Sequence, residues 1–381
     1  MARIILAGYM FRYPLGGMLS NTLQYLIGLV KQGHDVFFVE KSEYENTCYD
    51  PGQNRTSNDC AYGIRHVSAL LSRFDLADKW CFRDFGGNYF GLGKAQVFTL
   101  FKTADLFIDY GAHGSWNEEA QETPLKVLID GEPGTTQMKM CLKMEQGLPL
   151  PDYDFHYTVG QNIGEKNCTV PEAGKTWQKI FHPVDTDQFT HIPINPRGAY
   201  STVMNWKSRE NLQFHGRVFG HKDMEFDKFL ALPDKTSASF DIAVAGSNMP
   251  ETELMANHWT IRDAHRITLT YDTFIDFIVE SKGEFSVCKN TFAITNSGWF
   301  SDRSAVYLAC GKPVVVQDTG FETHLPVGHG LFAVRTVEEA AEAIKEIDGD
   351  YTHHSTCARE IACEYLDAQK VIGKFIRELG A

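Results

Sequence analysis

Residues 284–320, EFSVCKNTFAITNSGWFSDRSAVYLACGKPVVVQDTG, limit what this chain can fold into more than any other stretch. An apolar run, Phe285–Val287, reads as a buried strand, and a second short β-prone run spans Phe292–Thr295. Asn296, Ser297 and Gly298 then make a turn. Ser301 is placed to cap a helix, Asp302 suits the positive end of its dipole, and Ala305, Leu308 and Ala309 supply the apolar face. Gly311 stops that helix and Pro313 leads into a strand, Val314–Val316, which runs out at Gln317-Asp318-Thr319-Gly320. Strand, turn, capped helix, glycine and strand form a βαβ unit whose helix N-terminus faces the carboxyl edge of a sheet. Any such unit needs a capped helix. This one also gathers Ser297, Gly298, Ser301, Asp302, Arg303 and Ser304 on one short turn. Hydroxyls, free amides and a guanidinium together point to an anion, with Arg303 suited to grip a phosphate through its fork.

The rest of the chain repeats the α/β pattern. Arg3–Gly8 reads as a first strand, followed by a turn with Arg12 and the pair Gly16-Gly17, a helix over about 20–31, and a strand Val36–Val39. Without G-x-G-x-x-G, this half does not ask for a dinucleotide cofactor. Residues 43–59 read as a long surface loop, 64–74 as a helix, and Leu106–Asp109 and Lys126–Asp130 as strands that each end on an aspartate. Tyr153–Val159 reads as a strand and 160–174 as a loop. The Pro-rich stretch around residue 190 reads as a linker. A second half opens with the β-rich run Tyr200–Trp206. A helix bearing Phe226, Phe229 and Leu230, the strand Phe240–Ala245, a helix Tyr271–Glu280 and the central unit follow. A strand Leu331–Val334 and helices 337–347 and 357–379 close the chain. The expected organisation is two facing Rossmann-like domains, 1–190 and 191–381, with a cleft between them and a terminal helix able to cross back.

Composition narrows the function. A formal charge of −13 over 381 residues argues against holding a nucleic-acid backbone by bulk electrostatics. Nine scattered cysteines, none spaced C-x-x-C, suit a reducing cytoplasm and give no zinc signature. No run is long enough for a membrane span. Asp185-Thr186-Asp187 matches a D-x-D metal motif in letters but sits in the linker.

Several segments together resemble the GT-B glycosyltransferases, enzymes with twin Rossmann-like domains in the wider glycogen-phosphorylase-like superfamily. They are SGWFSDRSAVYLACGKPVVVQDTGF, Arg12-Tyr13-Pro14-Leu15-Gly16-Gly17, Gly33-His34-Asp35-Val36, Val203-Met204-Asn205-Trp206, Gly220-His221-Lys222-Asp223 with Glu225-Phe226, Gly283-Glu284-Phe285-Ser286, and Leu325-Pro326 with Gly328 and Gly330. The similarity implies a bacterial-type hexosyl- or pentosyltransferase, with its nucleotide-diphosphate sugar on the second domain and the acceptor on the first. One departure stands out. The large retaining family with A-C-G-x-P-V-V carries a glutamate just before that segment and another eight positions earlier, where this chain has Val306 and Gly298. Asp302, Asp318 and Glu322 are the carboxylates near enough in sequence to stand in.

Glycosyl transfer needs stabilisation of the departing diphosphate and, for inversion, a base for the acceptor hydroxyl. The expected donor site is Gly16, Gly17, Lys222, Ser297, Gly298, Ser301, Asp302, Arg303, Ser304 and Asp318, with Arg303 and Lys222 as its cations and neither metal nor cofactor. Asp130, at the end of an apolar strand, is the expected base. Glu132, His113 and His156 are alternatives, although His156 between Phe155 and Tyr157 has the look of a packed histidine. A small-molecule, glycan or lipid acceptor fits the acidic chain better than modified DNA. A nucleotide-sugar epimerase and a non-catalytic nucleotide-sugar-binding protein are the rival readings.

Overall fold

The computed structural model describes residues 1–111, 114–207 and 210–380. The first half contains β1 (Arg3–Ala7), α1 (Gly16–Lys31), β2 (Asp35–Lys41), the hairpin β3 (Cys48–Asp50) and β4 (Arg55–Ser57), and α2 (Ala61–Ser72). It continues with β5 (Trp80–Arg83), β6 (Tyr89–Gly91), α3 (Lys94–Thr103), β7 (Leu106–Tyr110), β8 (Lys126–Asp130), α4 (Thr135–Glu145), β9 (Phe155–Thr158) and β10 (Trp177–Lys179). Its sheet runs β10-β9-β8-β7-β1-β2-β5-β6, parallel but for the β5–β6 edge pair. The strand order reverses between β1 and β7, and that crevice faces the second half.

The second half contains β11 (Tyr200–Asn205), a hairpin of β12 (Leu212–Phe214) and β13 (Arg217–Phe219), β14 (Phe240–Ala245), α5 (Glu251–Ala256), β15 (Thr260–Arg262), α6 (Ala264–Thr268) and α7 (Tyr271–Glu280). Then come β16 (Gly283–Ser286), α8 (Asn290–Thr295), α9 (Asp302–Ala309), β17 (Val314–Gln317), β18 (Leu331–Val334), α10 (Val337–Gly349), α11 (Tyr351–Ile361) and α12 (Ala368–Leu379). Its all-parallel sheet runs β15-β14-β11-β16-β17-β18, with the reversal between β11 and β16. Two doubly wound sheets face each other, as expected.

Four readings change in detail. Phe292–Thr295 is helical, not a strand: Asn296 takes the left-handed conformation that ends α8 after six residues. The Phe226/Phe229 segment forms short 3-10 turns, which still bury both rings completely. The stretch 43–59 carries a hairpin. The terminal helix is broken at Ala362–Leu366, where a wider turn redirects the chain and Asp367 caps α12 by accepting from Gln369 N and Lys370 N. That break lets α12 return to the first half, where Ile372, Phe375 and Ile376 join the core beneath α1. Among the described residues no helix is long and apolar enough to cross a membrane.

Gly16 and Gly17 open α1 rather than lying in a loop. A Cβ at Gly16 would stand 2.4 Å from both Thr270 O and Phe274 Cβ of the second half, whereas one at Gly17 would meet nothing nearer than 3.7 Å. The first glycine is therefore required for close packing of α1 on α7. Gly16→Ala should cost about 1–3 kcal/mol through overpacking, while Gly17→Ala should be neutral or slightly stabilising because alanine favours a helix. Urea unfolding midpoints of the two variants test this; equal midpoints would remove the packing argument.

Candidate functional site at the α9 N-terminus

The turn before α9 is set by two left-handed residues, Asn296 and Gly298, with φ of 50° and 73°. Gly298 N donates to Thr319 O, tying the turn to the loop after β17. Ser301 caps α9, its Oγ accepting from Arg303 N at 3.2 Å. The first half completes the turn from the other side: Asn162 N donates to Ser297 O at 3.1 Å, Thr169 N to Thr295 O at 3.0 Å, and Asn162 Nδ2 to Asn296 O at 3.1 Å. The helix start thus lies at the seam between the two sheets.

Arg303 does not offer its fork to a ligand. Nε donates to Glu284 Oε1 at 2.8 Å, Nη1 to Val203 O at 2.7 Å and Nη2 to Ser286 Oγ at 2.7 Å. These bonds fasten α9 to the ends of β11 and β16. Burial works against the guanidinium charge, but Glu284 outweighs it and raises the Arg303 pKa. Around this pair Ser286, Ser301 and Ser304 line a crevice of about 10 Å³, room for one water. Ser304 Oγ and Glu284 Oε2 are buried without a hydrogen-bond partner among the described residues. Ser297 is fully buried, its hydroxyl donating to Phe292 O at 3.3 Å, so it shapes the turn.

Lys222 is the contrasting cation. Its segment is clamped between Trp206 O, which accepts from Asp223 N, and the start of α8, where Asn290 N donates to His221 O. The side chain is 7% exposed, and its ammonium makes no hydrogen bond or ion pair with the described residues. Burial, then repulsion from Arg303, pulls its pKa well below the ordinary lysine value, with Glu284 opposing.

The carboxylates sort themselves by partner. Asp318 accepts from Gly320 N at 2.8 Å and Arg335 Nη2 at 2.7 Å, and Glu322 accepts from the same Arg335 nitrogen at 2.5 Å. Both carboxylates are thus held by Arg335. Asp302 is half-buried and, among the described residues, its carboxylate makes only a long 3.5 Å contact with Ser301 Oγ. Asp130 is 1% exposed and holds three donors: Glu132 N at 2.9 Å, Gln137 Nε2 at 2.7 Å and Thr158 Oγ1 at 2.8 Å. It locks the loop after β8, and a base needs a lone pair facing the acceptor. Glu132 forms an ion pair with Lys289 across the seam at 2.5 Å. His156 lies one pairing step inside the sheet edge, opposite Leu128 and wedged edge-on between the rings of Tyr153 and Trp177. Burial lowers its pKa to about 4, and its ring is packed between aromatic side chains of the first half. His113 falls outside the described residues. Asp185 and Asp187 both pair with Lys31, at 2.5 and 2.8 Å.

The sequence reading missed His182, whose Nδ1 lies 3.5 Å from the hydroxyls of both Tyr25 and Tyr110. It is buried in the field of Asp302, Asp130 and Glu132, and burial lowers its pKa. It also missed the buried Glu284, although a carboxylate inside an apolar strand signals a buried partner.

No protein-family model matches the chain, and no curated protein does. Solved structures do. An alpha-glucosyltransferase in complex with UDP and a 13-mer DNA containing an HMU base is 12% identical, with a TM-score of 0.61 and 100% of both chains covered. A point mutant of S. aureus TarM, in complex with Fondaparinux, alpha-GlcNAc-glycerol and UDP, is 9% identical at 0.58, again over 100% of both. AviGT4, a glycosyltransferase involved in Avilamycin A biosynthesis, is 11% identical at 0.52, covering 99% of this chain and 97% of its own. At these identities the likeness establishes the fold, and that fold is GT-B.

If Arg303 and Glu284 are a structural pair, breaking it leaves a buried charge. Arg303→Met should cost about 3–5 kcal/mol, while Arg303→Met with Glu284→Met should recover most of that. Unfolding free energies of the three variants measure the cycle; additive single effects would show that the two side chains are not coupled.

Proposed function

We propose that the chain is a glycosyltransferase that moves a sugar from a nucleotide-diphosphate donor to an acceptor, without a metal. One observation carries the reading: Lys222 is buried and its ammonium makes no ion pair among the described residues, beside the switch point of a GT-B sheet. An uncompensated buried cation is costly to fold and is favoured only by an anion that arrives later. A diphosphate supplies that charge. The free amides at the start of α9 supply further donors, and the charge of the leaving group strengthens both as the glycosidic bond breaks. Arg303 acts here by fixing α9 and by raising the local positive potential. Asp302, the one donor-side carboxylate with little protein engagement, is positioned to accept from sugar hydroxyls. The nine free thiols agree with a reducing cytoplasm. The solved relatives that bind UDP lend support through the shared fold.

Lys222→Met tests the proposal with two opposed readouts. Because the folded pKa of Lys222 is depressed below 10.5, the unfolded state binds its proton more tightly. Wild-type stability therefore rises with pH through the window between the folded and unfolded values, and Lys222→Met should remove that slope. Without donor the variant should melt higher than wild type at neutral pH, yet bind UDP-, GDP-, TDP- or ADP-sugars at least about tenfold more weakly, roughly 1.4 kcal/mol. Activity of the wild type should persist in EDTA. Unchanged donor affinity in Lys222→Met would sink the diphosphate site, and loss of activity in EDTA alone would sink the metal-free part.

A further inference from the structure

Three histidines meet where the loop before β18 crosses α11. The ring centroids of His329 and His353 lie 5.2 Å apart, those of His353 and His354 5.3 Å, and those of His329 and His354 6.0 Å. His329 and His353 are exposed, whereas His354 is 3% exposed, with Phe332 of β18 against its ring. His354 Nδ1 accepts from Gly330 N at 3.2 Å. That bond requires the neutral imidazole with its proton on Nε2, because a proton on Nδ1 would set one donor against another. Gly330 seats the start of β18. Its φ is 73°, a Cβ there would stand 2.3 Å from Ala358 N of α11, and its carbonyl accepts from Val314 N of β17 at 2.9 Å.

The surroundings resist a proton on His354. Burial lowers its pKa and the rings of His353 and His329 lower it further, while Glu346 of α10 and Asp350 at the start of α11 oppose them. The two exposed rings constrain each other as well. His353 Nε2 lies 3.4 Å from His329 Nδ1, a contact that needs one N–H and one lone pair, so two fully protonated rings push apart. The consequence travels along α11. Ser355 Oγ donates to Gly311 O at 2.6 Å, Arg359 Nη1 to Ala309 O at 2.5 Å and Arg359 Nη2 to Thr186 O at 2.8 Å. This helix therefore ties the C-terminal end of α9 to the connection between the two halves. We propose that the three histidines form a proton switch: mild acid charges the cluster, breaks the bond between Gly330 and His354, and frees α11 from β18 together with its tie from α9 to Thr186. The sign follows from linkage. With the folded pKa of His354 below 6.5, the locally open state binds the proton more tightly. Closure is held above pH 6.5 and weakens as the pH falls from there towards the folded value.

The test is hydrogen–deuterium exchange of the full chain at pH 7.5 and 5.5, corrected for intrinsic exchange rates. Segments 330–334, 351–361 and 184–190 should each open at least about threefold more at the lower pH. His354→Asn keeps an acceptor for Gly330 N but cannot titrate, so it should be protected equally at both values. His329→Gln combined with His353→Gln removes the two surface rings that disfavour the proton on closed His354, and should reduce the acid opening. Wild-type segments that stay equally closed at both pH values, or acid opening undiminished in both variants, would overturn the switch. Opening of 330–334 and 351–361 without 184–190 would overturn its reach to the connection between the halves. Should His354→Asn melt well below wild type at pH 7.5, the surface double variant decides alone, and opening equal to wild type in it overturns the proposal.

Discussion

The buried pair between Glu284 and Arg303 is the interaction on which the second half depends. Glu284 is fully buried in β16, and a charge in that position survives only if it is paired and hydrogen-bonded. Arg303 meets it from the first turn of α9 and also reaches Val203 O and Ser286 Oγ. One side chain thereby links a helix start to the two strands between which the sheet order reverses. The helix N-terminus cannot drift from the switch point without exposing a carboxylate to an apolar core. The same pair leaves Lys222 in surplus, because Glu284 is already neutralised.

The seam between the halves is also built from main chain. Asn162 and Thr169 donate backbone bonds to Ser297 and Thr295, and Asn162 Nδ2 reaches Asn296 O while its Oδ1 lies 2.7 Å from His324 Nε2. A loop of the first half thus forms part of the turn before α9. Any opening of the cleft must either break these bonds or carry residues 160–169 along with the second half. The second option concentrates the flexing in the extended chain on either side of that loop, while α12 on α1 keeps the halves attached.

The central unit was legible because each of its signals is local: Ser301 caps, Gly311 ends, and valines fill the strand that follows. What escaped depends on distance in sequence. Arg303 reads as a free fork until Glu284, 19 residues earlier, is seen beneath it. Asp130 reads as a poised base until Gln137 and Thr158 close on it. Gly16 reads as a phosphate-loop glycine until α7 is packed against it. The β12–β13 hairpin left only a weak trace, because His215-Gly216 takes positive φ at both turn positions while asparagine or aspartate would have announced it. In each case the residue type was informative and the direction of its side chain was not.

The loss of the glutamate pair follows the same logic. Gly298, at one of those positions, has φ of 73°, and an added Cβ would lie 2.7 Å from Asn162 N. No glutamate fits there while the first half is stitched to the turn. Val306, at the other, is buried in the core on the inner face of α9. The turn before α9 is thus a contact between the halves at the first position, and the second is packed into the core. Asp302 sits at the helix start, and the Tyr25–Tyr110–His182 group faces it from the first half. With burial holding His182 toward its neutral form, that group offers hydroxyls and an imidazole that can each donate or accept. A ligand placed between Asp302 and this group would meet side chains from both halves.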